Sequence, residues 1–193
     1  PLIPGLKYRV LGGGIKVTTP LTGPAIGKLK AGDEVLLSGT IFTARDAAHK
    51  RFTELIKKRR PLPINLKGAV IYYAGPTPAK RGEVIGSCGP TTSSRMDPFT
   101  PGLIKRGLSG MIGKGERSEE VRAAIEKYKC VYFLATGGIG ALLSTKVKGA
   151  KLAAYPDLGP EAVYELEVKD FPLIVGIDSK GTDIYGKAKW KKA

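Results

Sequence analysis

The sequence predicts an α/β fold: a single domain over residues 1–193 in three layers, β/β/α. Short apolar runs punctuated by glycine open the chain, helix and strand signals alternate through its second half, and no repeat, linker or compositional shift divides it. A strand-rich N-terminal layer joined to alternating β and α elements accounts for the layers without fixing strand order.

Taken in order, Gly12, Gly13 and Gly14 punctuate the first segment, Val35–Leu37 reads as a strand, and Gly32-Asp33 as the turn before it. Thr43 and Asp46 form a capping box, so a helix follows with Ala48, Phe52, Leu55 and Ile56 on one face, ended by Pro61 and Pro63. Ala69–Ala74 is a run of apolar strand formers expected to be buried on both faces, and Gly75-Pro76-Thr77-Pro78 turns the chain. From Gly86 to Pro101 small, polar and turn-forming residues dominate, the composition of a functional loop on a rigid scaffold. Ser118 caps a helix carrying Val121, Ala124, Ile125 and Tyr128 on one face, and Cys130–Ala135 follows as a strand. Gly137-Gly138 turns the chain into a short helix over about Ile139–Lys146. Leu152–Tyr155 is a strand, Pro160 opens another helix at its N1 position, and Leu173–Ile177 is the last strand. Alternation of this kind implies parallel strands with helical crossovers.

Composition narrows the function. With 42% hydrophobic and 25% charged residues the chain is of ordinary globular type. No apolar run reaches the ~18 residues of a membrane helix, and Pro1–Val10 lacks the long apolar stretch of a signal peptide, so a soluble cytoplasmic protein is expected. Cys88 and Cys130 are the only cysteines and His49 the only histidine. That is too few for a disulfide framework, an iron-sulfur cluster or a structural zinc, so any metal comes from elsewhere. The net charge of +15 attracts anions: a nucleic acid, an acidic partner or an anionic substrate. The densest basic runs, Lys57–Arg60 and Lys187–Lys192, read as solvated faces. Aromatics are 7% and do not interleave with basic residues in any nucleic-acid-binding motif, which argues against that partner.

Four segments carry residues suited to chemistry. Gly89-Pro90-Thr91-Thr92-Ser93-Ser94-Arg95-Met96-Asp97 places hydroxyls and backbone amides beside a guanidinium, a set that suits a carboxylate. The plainer reading is a Ser/Thr-rich turn with Arg95 in a surface ion pair. Arg45 falls at the start of a helix, where the dipole disfavours a cation; it serves an anion there, or pairs with Asp46 or Glu54. His49 follows one turn later, either facing the same site or packed in the helix. Met111-Ile112-Gly113-Lys114-Gly115 sets a lysine between glycines, which lets backbone and charge approach a ligand closely. It is not a phosphate-binding P-loop, because the spacing of Gly, four residues, then Gly-Lys-Ser/Thr is missing, and Glu116 follows Gly115. Ala135–Ala141 follows a strand and is glycine-rich, but its spacing does not match a dinucleotide fingerprint.

Taken together, Thr43–Arg51, Tyr72–Pro78, Gly86–Asp97, Ile112–Ser118 and Phe171–Tyr185 resemble the beta subunit, or C-terminal region, of class I iron-sulfur fumarate hydratases and L(+)-tartrate dehydratases. The run Gly-Pro-Thr-Thr-Ser-x-Arg-Met-Asp is the most specific of these. The resemblance covers nearly the whole chain and implies a swivelling β/β/α domain. It also implies an alpha subunit that holds a 4Fe-4S cluster, an active site between the subunits, and a dimer of alpha-beta pairs or a homodimer of the isolated subunit. By alignment with the family's motifs, Thr91 is the catalytic threonine, and Arg45, Arg95 and Lys114 bind the dicarboxylate. The reaction implied is the reversible hydration of fumarate to (S)-malate, with dehydration of tartrate as the alternative. Cys88 departs from the small residue more usual in the family and is expected to be a packed thiol.

Overall fold

In the computed structural model, residues 13–135 and 143–189 are described. The strands are β1 (Ile15–Thr18), β2 (Glu34–Thr43), β3 (Val70–Tyr72), β4 (Gly110–Gly113), β5 (Val131–Leu134), β6 (Val147–Ala154) and β7 (Val163–Ile177). The helices are α1 (Gly23–Lys28), α2 (Asp46–Lys57), α3 (Thr100–Lys105), α4 (Glu119–Tyr128) and α5 (Ile184–Lys189), with 3-10 turns at Ser93–Met96 and Pro156–Glu161. Gly12, the Gly137-Gly138 turn, the first half of the expected Ile139–Lys146 helix and the basic side chains after Gly186 lie outside the described residues.

Strands β2, β3, β4 and β5 run parallel in that order, and α2, α3 and α4 lie in the connections between them. This is the crossover pattern that the alternating signals imply. The second half then departs from it. Pro160 does not open an α-helix: it lies in the 3-10 turn, broken at Gly159 (φ 55°, ψ −122°), and the chain enters the 15-residue β7 directly. Strand β7 pairs antiparallel with β2, β5 and β6. Because β7 reaches both β5 and β2, the pairings β2–β3–β4–β5–β7–β2 close a ring, with β1 parallel beside β2 and β6 beside β7.

Closure requires the two longest strands to bend. One bulge lies where they pair with each other: the β2–β7 register shifts between Leu37 and Gly39, opposite Val168 and Phe171, and Asp170 there adopts φ 48°. Gly39 has φ +106°, and a Cβ on it would lie 2.4 Å from Thr19 Oγ1, so glycine is needed on both counts. The Asp170 amide donates to Ser38 Oγ at 3.0 Å, which satisfies a group that the bulge takes out of the ladder.

Strand alternation divides the apolar side chains between two cores. Val70 and Tyr72 of β3, Ile112 of β4, Val131 and Phe133 of β5, Leu37 and Ile41 of β2, and Leu166 and Val175 of β7 share one. Their neighbours Ile71, Met111, Tyr132 and Ile177 join Phe52 of α2, Leu103 of α3 and Ile125 of α4 in the other. All of β3 is buried, as its unbroken apolar run predicts. The fold is thus a mixed α/β structure with one core among the strands and a second between strands and helices.

Candidate active site

Parallel strands deliver their C-terminal ends to a single edge, where α/β proteins tend to place ligand sites. Here the chain stays zipped past the strand ends: the Ala44 amide donates to the Tyr72 carbonyl (3.1 Å), Tyr73 to Ile112 (2.8 Å) and Ala135 to Gly113 (2.9 Å). Arg45 therefore leaves β2, Tyr73 leaves β3 and Lys114 leaves β4 side by side.

The 86–101 loop is laid onto this edge. The Thr91 amide donates to the Tyr73 carbonyl oxygen at 2.7 Å, and the half-buried Thr91 Oγ1 donates to the same oxygen at 3.0 Å. One residue on, Thr92 forms a parallel bridge with Lys114, and the Ser93 amide donates to the Lys114 carbonyl at 2.9 Å. Such close approach depends on Gly113, where a Cβ would sit 1.9 Å from Ser93 Oγ. Beneath the loop, Tyr132 Oη lies 2.8 Å from Ser93 Oγ and donates to the Gly115 carbonyl at 2.8 Å. Lys114 itself is exposed and has no ion pair among the described residues.

Arg45 is the N-cap of α2. Thr43 does not cap that helix; its buried hydroxyl accepts from the Tyr164 amide of β7 at 3.1 Å, a partner too distant in sequence to foresee. Arg45 Nε lies 3.6 Å from Glu161 Oε1, so its ion pair is with neither Asp46 nor Glu54. Its side chain lies over Gly75, where a Cβ would come within 3.2 Å of Arg45 Cδ. Arg95, in the 3-10 turn, donates from Nε to Asp46 Oδ1 at 3.1 Å and is 55% exposed, which is the surface ion pair of the plainer reading. That same bond holds Arg95 beside the Arg45 end of the site. Arg45 Nε and Asp46 Oδ2 are both buried without a hydrogen-bond partner, and Nε has only the 3.6 Å ion pair with Glu161 Oε1.

Arg117, which ties several groups at this edge together, has no motif around it in the sequence. Its side chain is fully buried; Nε donates to Asp97 Oδ1 at 2.6 Å, and NH2 donates to Tyr73 Oη at 3.2 Å and Thr100 Oγ1 at 2.9 Å. The guanidinium carbon stands 5.2 Å from the Tyr73 ring centre and 4.9 Å from that of Tyr132. Burial opposes its charge, but the Tyr73 and Tyr132 rings and Asp97 outweigh that cost and raise its pKa. Asp97 Oδ2 in turn accepts from the Ser118 amide at 2.6 Å. The only advance signal was Asp97 closing the polar loop, an acid in need of a cation.

His49 proves to be the packed alternative. It is fully buried against Phe52, Tyr73 and Phe99, with Nδ1 2.8 Å from the Arg45 carbonyl oxygen. Burial lowers its pKa to about 4, so it is neutral near pH 7 and donates from Nδ1. Cys88 and Cys130 are buried in different cores, and burial pushes both thiols up to about 12. Among the described residues no group of three or more His, Cys, Asp or Glu could hold a metal ion, and no helix is long and apolar enough to cross a membrane.

Residues 12–188 match the family model described as Fumarase C-terminus. The chain belongs to this family. It is 44% identical over 177 residues to a protein of Methanocaldococcus jannaschii provisionally named L(+)-tartrate dehydratase subunit beta, covering 89% of this chain and 91% of that one. It is 34% identical over 178 residues to L(+)-tartrate dehydratase subunit beta of Escherichia coli, covering 90% of this chain and 87% of the relative. Anaerobic class I fumarate hydratase of Escherichia coli is 42% identical over 151 residues, which are 77% of this chain but 28% of that longer enzyme. The named relatives of this fumarase C-terminus chain are thus hydro-lyases or the beta subunits of such enzymes.

Proposed function

We propose that this chain is half of a hydro-lyase active site for a four-carbon dicarboxylate, catalysing the reversible hydration of fumarate to (S)-malate once an alpha subunit completes it. The observation that carries this reading is the meeting of Thr91, Arg45 and Lys114 at the ends of three parallel strands, with Arg95 tethered to them through Asp46. Hydration adds a hydroxyl to one carbon and a proton to its neighbour, and negative charge builds on the carboxylate conjugated with the carbanion. Arg45, Arg95 and Lys114 meet that charge, best in a cleft from which a partner surface excludes water.

Thr91 handles the proton. Because its hydroxyl hydrogen is engaged by the Tyr73 carbonyl, its lone pairs face outward, and a carboxylate on the partner is needed to relay the proton. This chain's own thiols do not fit a 4Fe-4S cluster: they lie in separate cores and stay protonated. We assign the cluster to the alpha subunit, and substrate binding and proton handling to this chain. The domain would swivel against that partner as a β/β/α unit, in a soluble cytoplasmic enzyme formed from alpha-beta pairs.

A second reading, dehydration of L(+)-tartrate, is favoured by the 44% identity spanning 91% of a subunit so named. Anaerobic reconstitution with the alpha subunit, followed by assay with fumarate, malate and both tartrate enantiomers, decides between them. Turnover of fumarate and malate alone supports the first reading and turnover of one tartrate enantiomer the second; no turnover of any sinks both.

A further inference from the structure

We infer that Arg117 is the positioning residue that sets Thr91, Arg95 and Lys114 in register with one another, an inference that rests on the half-site reading above. None of the three is touched by Arg117, yet each hangs from a group that is. The Tyr73 carbonyl holds both the amide and the hydroxyl of Thr91, and the hydroxyl and ring of the same Tyr73 contact the Arg117 guanidinium. Asp97 directly follows the 3-10 turn that carries Arg95, and its carboxylate is split between Arg117 Nε and the Ser118 amide. Tyr132, whose ring lies against the guanidinium, bonds Ser93 and Gly115, the neighbours of Thr92 and Lys114.

Several features argue against simple core filling. A buried ion pair is seldom more stabilising than apolar side chains of the same volume, so stability alone gives little reason to retain one here. The planar fork matters as well. Arg117 donates in different directions from Nε and NH2, to Asp97 on one side and to Tyr73 and Thr100 on the other. A lysine keeps the charge but cannot span both. Arg117 itself follows β4, whereas Tyr73, Asp97 and Thr100 belong to the segment that follows β3, so the fork fixes the spacing of the Lys114 segment against the Thr91–Arg95 loop, and displacements of about 1 Å at a reacting centre cost up to a hundredfold in rate.

The test uses the reconstituted alpha-beta complex. Arg117→Lys is expected to lower kcat about ten- to a hundredfold, with KM changed less than about threefold and assembly intact. Combined with Thr91→Ala, it should cost less than it does alone, because the share that acts through Thr91 is already lost and only the share through Arg95 and Lys114 remains. Wild-type turnover in Arg117→Lys, or full additivity with Thr91→Ala, overturns the inference while leaving the half-site reading in place. An inactive wild-type complex overturns the half-site reading instead. Should Arg117→Lys fail to assemble, Tyr132→Phe keeps the ring and removes only the hydroxyl that ties Ser93 to Gly115. A fall in kcat of about fivefold or more there supports the proposal, and unchanged kcat refutes it.

Discussion

The amide and the hydroxyl of Thr91 converge on one acceptor, the Tyr73 carbonyl oxygen, at 2.7 and 3.0 Å. A carbonyl oxygen has two lone pairs, so both bonds form together and the threonine rotamer is held at the end of β3. Only the lone pairs of Oγ1 remain to face a substrate. Thr91→Ala in the assembled enzyme should therefore lower kcat by about a hundredfold or more, with KM within about threefold of wild type. Thr91→Ser should retain most of the rate and Thr91→Val should not, since only serine keeps the hydroxyl. Near-full turnover in Thr91→Ala, measured by steady-state kinetics, would remove threonine from the reaction.

Arg95 and Asp46 form a half-exposed pair, 55% and 24% accessible. Pairs of this sort add about 0–1 kcal/mol to stability, so Arg95→Lys should leave the melting temperature and subunit assembly nearly unchanged. Activity should not survive as well. Two parallel hydrogen bonds to a carboxylate need the guanidinium plane, and kcat/KM is expected to fall about ten- to a hundredfold. A chain serving only as a scaffold for its partner would retain full activity.

Local pattern carried the reading of this chain as far as local forces reach. Helix α4 was legible because Ser118 caps it, accepting from the Val121 amide, and its apolar face repeats every turn. The β3 strand was legible from an unbroken apolar run. The ring was not, because its closure depends on β7 pairing with β2 across more than a hundred residues and on bulges at Gly39 and Asp170. Thr43 misled for the same reason: a β7 amide takes up the hydroxyl that a local reading assigns to a cap. At the site, residues with a local motif around them stood out, whereas Arg117, between Glu116 and Ser118, looks like any surface arginine until Asp97 is folded against it.

Gly113 shows how narrowly the Thr91 loop is accommodated. A methyl group there would lie 1.9 Å from Ser93 Oγ and 2.9 Å from the Tyr73 ring, both buried. Gly113→Ala should cost about 1–3 kcal/mol of stability by overpacking and should also reduce activity, since the clash displaces the residues on either side of Thr92. Adding Ser93→Ala removes the worst contact and should restore part of both. Chemical denaturation of the single and double variants, beside their kinetics, checks this; equal stability of Gly113→Ala and wild type would show that the loop does not lie where it is placed here.

His49 makes the stability of this fold depend on acid. Burial drives its pKa from the ordinary 6.5 down to about 4, against a smaller opposing effect from its bond to the Arg45 carbonyl. Between those values the unfolded chain binds a proton that the folded chain refuses, so stability falls as pH drops from about 6.5 and the loss ends near pH 4. One proton over that window amounts to on the order of 3 kcal/mol. His49→Asn retains a donor for the Arg45 carbonyl and cannot titrate. The difference in unfolding free energy between wild type and this variant should shift with pH from 6.5 to 4 and stay flat above about 7.5. A difference independent of pH would mean that His49 reaches solvent and titrates normally, and the neutral ring could then not be what supports Arg45 at the head of α2.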